Sequence, residues 1–145
     1  MNEISLRKAR LIMRKTFDKG REMELKPLSV VVLDAGGHVK AFEREDGASP
    51  GRFAIAHGKA YGAVMLGMGG QAQAARVETG PGGAAFMAAA NGVFGGAVVP
   101  VPGGVLVRDR KGNVIGAVGV SGDLSDNDAI AAIAGIEAAS LTAEG

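Results

Sequence analysis

The first regular pattern in the chain is helical. Leu6, Ala9, Ile12, Met13 and Phe17, with Thr16 among them, recur on one face, and lysines and arginines fill the positions between. Ser5 suits the N-cap of this helix and Gly20 its end. The pattern then changes period. L-S-V-V-V-L at 28–33 is short and β-branched, and V-K-A-F-E-R-E at 39–45 alternates apolar with polar, so the two read as strands. D-A-G-G-H between them predicts a hairpin turn. D-G-A-S-P breaks the second strand and leads into residues 49–68, S-P-G-R-F-A-I-A-H-G-K-A-Y-G-A-V-M-L-G-M, read as a helix with Ser49 as N-cap and Pro50 at the first helical position.

Glycine, alanine and glutamine at 67–96 give no firm period, and one short helix over 83–91 is the reading for that stretch. V-V-P-V-P-G-G-V-L-V-R-D then predicts a short extended piece, a proline and glycine bend, and a strand over 105–108. D-R-K-G-N turns into V-I-G-A-V-G-V-S, a last strand in which Gly116 and Gly119 permit close approach of another backbone. Ser125 is expected to cap a final helix, with Asp126 and Asp128 near its positive end. The predicted order is helix, two strands, one or two helices, three strands, helix. Strands joined by tight turns imply an antiparallel sheet with helices packed on it, an α+β class.

Composition sharpens this picture at two points. Glycine supplies 24 of 145 residues, about 17% against a usual share of about 7%, in a chain that is 47% hydrophobic and therefore not of disordered type. Small residues must then serve close packing, and a core thin in bulky side chains predicts a homo-oligomer that shares apolar surface. The length suits a single domain over 1–145. No cysteine is present, which removes disulfides, thiolate metal sites and a cysteine nucleophile. The start of the chain has no signal-peptide core and no apolar run is long enough to span a bilayer, so a soluble cytoplasmic protein without a membrane partner is expected. A net charge of +1, scattered basic residues, one tyrosine and five phenylalanines give no footprint for nucleic acid.

The candidate chemistry centres on Lys59. Its helical neighbours are Ile55, Ala56, Gly62 and Ala63, with Arg52 seven residues back on the same face, so two cations stand on a wall of small or apolar residues. Such a cation wants an anion, either a carboxylate ligand or an internal partner, for which Asp46 is the obvious residue. His57 lies on a different face, near Phe53 and Tyr61, and packs or ligates there. G-M-G-G-Q-A from Gly67 follows a helix and is not a phosphate loop, no paired histidine spacing offers a metal site, and Ser121 in G-V-S-G lacks a signalled histidine partner. His38 belongs to a turn.

Several stretches together carry a family resemblance: V-V-L-D-A-G-G-H-V-K-A-F-E-R-E-D-G-A, A-I-A-H-G-K-A, V-P-G-G-V-L-V, and G-N-V-I-G-A-V-G-V-S-G followed by an acidic helix start. The chain resembles the GlcG/HbpS group, the haem-degrading domain family, over about 30–139. The resemblance implies a profilin-like fold with a five-stranded antiparallel sheet and assembly into dimers, rings or octamers. Some members bind haem or iron, some accompany glycolate or diol metabolism, and one branch is joined to a cobalamin adenosyltransferase. Lys59 matches the recurrent lysine, Asp46 the R-x-D-G turn, and Gly103 and Gly104 the P-G-G loop, so these are expected to line one pocket. The segment 67–96 departs from the family pattern, and Arg52 and His57 lie outside it.

Two functions follow. One is a small-ligand binding protein, with haem as candidate cofactor, its propionates meeting Lys59 or Arg52 and its iron meeting His57, Tyr61 or a methionine. The other is a cofactor-free isomerase or lyase acting on a small carboxylated metabolite, with Arg52 as clamp, Lys59 moving the proton and His57 in reserve.

Overall fold

The computed structural model describes residues 3–145. The helices are α1 (Leu6–Glu22), α2 (Arg52–Leu66), α3 (Gly70–Glu78), α4 (Pro81–Val93) and α5 (Ser125–Ala138). The strands are β1 (Ser29–Asp34), β2 (Val39–Arg44), β3 (Gly104–Arg108), β4 (Val114–Ser121) and β5 (Thr142–Glu144). The strands form one antiparallel sheet in the order β2-β1-β4-β3-β5. The α+β architecture with a five-stranded antiparallel sheet is therefore as the sequence implies.

Alternation along the central strands decides the layers, since successive side chains in a strand point to opposite faces. Val30 and Val32 of β1, Val105 and Val107 of β3, and Val118 and Val120 of β4 pack against Ile12, Met13 and Phe17 of α1 and Ala132 and Ile136 of α5. Val31, Leu33, Leu106 and Ala117 face the other way, onto Ala56, Ala60 and Ala63 of α2. Helix α2 is thus the main cover of one face of the sheet, and its alanines let it sit very close. At Gly119 an added Cβ would collide with the Ala56 carbonyl, so β4 needs glycine beneath the helix. The outward face of α1 gathers Arg7, Arg10 and Arg14 around one surface recess, a concentration that the scatter of basic residues along the chain does not convey.

Several local expectations need correction. The Ser5 hydroxyl does accept the Lys8 amide at 3.1 Å, but α1 runs past Gly20, which is buried where Leu28 needs the space of a missing side chain. Ser49 does not cap α2. Pro50 and Gly51 form a turn in which the Arg52 amide donates to the Ser49 carbonyl at 3.1 Å, and the helix starts at Arg52 with Gly51 as an N-cap that has no side-chain bond. Ser125 does not cap α5 either: Leu124 holds the N-cap place without a side-chain bond, and the Asp128 and Asp123 carboxylates accept the Asp123 and Leu124 amides just ahead of the helix. Segment 67–96 contains two helices, α3 and α4, tied by Arg76 lying 4.1 Å over the Phe86 ring. The extended piece before β3 is no strand. There the Val99 amide donates to the Gly58 carbonyl at 3.1 Å, and the fifth strand is instead β5, on the outer edge beside β3.

Candidate functional site

The structure distributes the candidate residues over separate places. Lys59, from the middle of α2, is buried at 2% exposure. Its Nζ donates to the Val120 carbonyl at 3.0 Å and to Asp128 Oδ2 at 3.1 Å, so its anion is internal and comes from the first turn of α5, not from Asp46. Burial pushes the Lys59 ammonium below the ordinary lysine range, opposed by the Asp128 charge and reinforced by Arg52. Burial likewise raises Asp128, opposed by Lys59 and by the Asp123 amide that donates to its second oxygen at 2.9 Å. Gly103 and Gly104 close over the same lysine. Gly103 has φ +116, its carbonyl accepts the Val120 amide at 2.9 Å, and a side chain on Gly104 would run into the Lys59 backbone. The P-G-G loop is thus a lid packed on Lys59. Asp46 is exposed at the far turn, in a surface recess shared with Phe17, Arg21, Glu43, Arg44 and Glu45.

Arg52 opens α2 and lies on the sheet side, its Nη1 donating to the buried Ser121 Oγ at 3.1 Å. It lines a recess of about 460 Å³ with Lys26, Gly122, Asp123 and Leu124. The Asp123 carboxylate there accepts the Lys26 amide at 2.9 Å, the Leu124 amide at 2.8 Å and Asn127 Nδ2 at 2.9 Å, and these bonds, Asn127 foremost, lower its pKa from 3.8 to about 2. A depressed carboxyl adds stability above its unfolded value and loses it as pH falls through the folded one. Asp123→Asn is therefore expected to flatten the drop in Tm between about pH 4 and pH 2, as read by circular dichroism melts.

His57 points away from both cations. It stands in a file of rings along the outer face of α2: Phe53 at 5.8 Å between centroids, and Tyr61 at 5.7 Å in a stacked arrangement with planes 17° apart. Phe42 of β2 meets Phe53 edge-on at 4.7 Å, and Phe94, just after α4, meets Tyr61 edge-on at 6.0 Å. The spacing Phe53, His57, Tyr61 puts one ring per turn on a single stripe. Beside it lies an open recess of about 390 Å³, lined by Phe53, Ala54, Ile55, His57, Gly96, Ala97 and Val99. Its walls are apolar except for the half-buried imidazole. No group of three or more carboxylate, histidine or cysteine side chains suited to a metal ion occurs among the described residues.

The family model for the haem-degrading protein HbpS-like group matches residues 4–137. The chain belongs to the HbpS-like family. Solved structures with the same fold include the haem complex of PduOC, with 24% identity over 99% of each chain and a TM-score of 0.85. ORFY of Klebsiella pneumoniae is 26% identical over 94% of this chain and 90% of its own, with a TM-score of 0.82. HbpS is 26% identical over 92% of this chain and 87% of its own, with a TM-score of 0.75. No match is found among the curated proteins. Among the described residues no helix is long and apolar enough to cross a membrane.

Sequence reasoning missed two features of this HbpS-like chain. Asp128 reads in the sequence only as a charge near a helix start, although Ala131, Ala132 and Gly135 at helical spacing set it on the small-residue, buried face of α5. The ring file was half visible as Phe53, His57 and Tyr61 at four-residue spacing, whereas Phe42 and Phe94 join it only through the tertiary fold.

Proposed function

We propose that this HbpS-like protein binds haem, or a closely similar metalloporphyrin, in the recess beside the ring file, with His57 as the axial ligand. The observation that carries the reading is a lone imidazole presented at the wall of an otherwise apolar, partly aromatic recess. Those residues fit a flat apolar ligand with a metal at its centre: Phe53, Ile55 and Val99 offer apolar contact, and stacking on Tyr61, with the tilted Phe53 ring on the other side, holds the imidazole plane. A haem complex is described for PduOC, which shares the fold. When bound, the iron would supply redox or oxygen chemistry tuned by its axial ligand. Titration of haemin into the purified protein is expected to give a sharp, saturating Soret band; a broad band growing without saturation would remove haem as the ligand.

The same reading includes a homo-oligomer. Helix α4 is apolar nearly all round yet packs mainly on α3, leaving Phe86 42% and Val93 80% exposed. A helix of that kind is ordinarily covered. A second copy laid on α4 would also shelter the open side of the recess, whose Gly96 and Ala97 follow that helix directly. Val93→Glu is expected to reduce the sedimenting species to a monomer at micromolar concentration; an unchanged sedimentation coefficient would place the interface elsewhere. The isomerase or lyase reading gains less from the geometry, since the Lys59 ammonium is committed to two buried acceptors.

A further inference from the structure

We infer that the end of the sheet under the start of α2 is a binding subsite for a small oxyanion, a carboxylate or phosphate group, separate from the ring-lined recess. Strand register brings its parts together. Ser29 of β1 is the direct partner of Arg44 on β2 and of Ser121 on β4, so the three side chains start in one row on the sheet face covered by α2. Arg52 comes down onto that row and donates to Ser121.

The hydrogen-bonding inventory of the row is unbalanced. Ser29 Oγ is fully buried and has no partner. Ser121, equally buried, uses its oxygen to accept from Arg52, which leaves its own hydroxyl proton to be donated. Two buried hydroxyls and a guanidinium with donors to spare form a set with an excess of protons. What such a set lacks is an acceptor, and leaving a buried donor without one is costly. A recess of about 460 Å³, lined by Lys26, Arg52 and Gly122, meets the row at Arg52 and at the residue that follows Ser121. Asp123 on its rim is the one acid among its lining residues, and three N–H donors already hold that carboxylate. Arginine suits the ligand because its planar fork matches two oxygens of a carboxylate or phosphate.

The row also has a purely structural alternative, in which Arg52 merely ties α2 to β4. Calorimetric titration at constant ionic strength separates the two, with inorganic phosphate in one arm and oxalate in the other. Saturable binding is expected in at least one arm, and the arm that binds more tightly names the oxyanion. Arg52→Gln should weaken it at least tenfold, and Ser29→Ala, which removes one hydroxyl and little volume, several-fold, with unchanged far-UV circular dichroism. Absence of saturation in both arms, or unchanged affinity in Arg52→Gln, would overturn the inference. Arg52→Gln should leave the haemin Soret band intact and His57→Ala should leave anion binding intact, so failure of either site is seen separately.

Discussion

Replacing Lys59 by methionine is expected to lower stability by about 3–5 kcal/mol, the usual cost of stranding one member of a buried ion pair. Lys59 joins three elements: it rises from α2, donates to the β4 backbone at Val120 and meets Asp128 at the start of α5. Its removal leaves Asp128 buried with only the Asp123 amide as donor. At roughly 2–4 °C per kcal/mol for a domain of this size, Tm should fall on the order of 10 °C. The pH dependence gives a second check. Burial already raises the folded Asp128 pKa above its unfolded value of 3.8, and Lys59→Met raises it further by removing the charge and hydrogen bond that oppose burial, so the variant loses more stability than the unaltered protein as pH rises through that range. The deficit of Lys59→Met should therefore be smaller near about pH 5 than near about pH 8. Adding Asp128→Leu is expected to recover most of the loss, because an apolar pair of similar volume replaces a buried charge pair at little cost. Urea unfolding of the single and double variants measures both effects, and a single-variant loss under about 1 kcal/mol would show that the pair does not hold these elements.

Much of the fold was legible because its signals are local. The Ser5 cap, the hairpin at 34–38 and the glycine-bearing last long strand are each specified by residues a few positions apart. What escaped was long-range or too short to signal. Thr142, Ala143 and Glu144 carry no β-branched run and become a strand only because β3 offers an unpaired edge. The Ser49 cap failed for a local reason of another kind, since Pro50 and Gly51 favour a turn before the helix.

The site shows the same division. Helical spacing placed Lys59 among small neighbours and His57 on another face, and the structure has them so. The partner of Lys59 was not legible, because Asp46 stands near it in sequence and Asp128 lies 69 positions away. Gly103 and Gly104 read as loop glycines, yet their role is to let the chain close directly over that lysine. One sequence pocket thus becomes a sealed ion pair, an arginine and serine row, and a ring-lined recess.

The second large effect concerns that recess. His57→Ala is expected to abolish ligand-dependent spectral change, because the imidazole is the sole metal-ligating side chain among the residues lining it and the remaining apolar walls cannot hold iron. Loss should exceed tenfold in affinity, whereas the fold should persist, since His57 is half-buried on the outside of α2. His38 makes a suitable control: it is exposed in the β1–β2 turn and pairs with Asp34 at 3.2 Å. The most direct test of the central claim is haemin titration of the unaltered protein, His57→Ala and His38→Ala, followed at the Soret band. A sharp saturating band in the first and third and none in the second is the expected result. A saturating band of the same position and affinity in His57→Ala would contradict it.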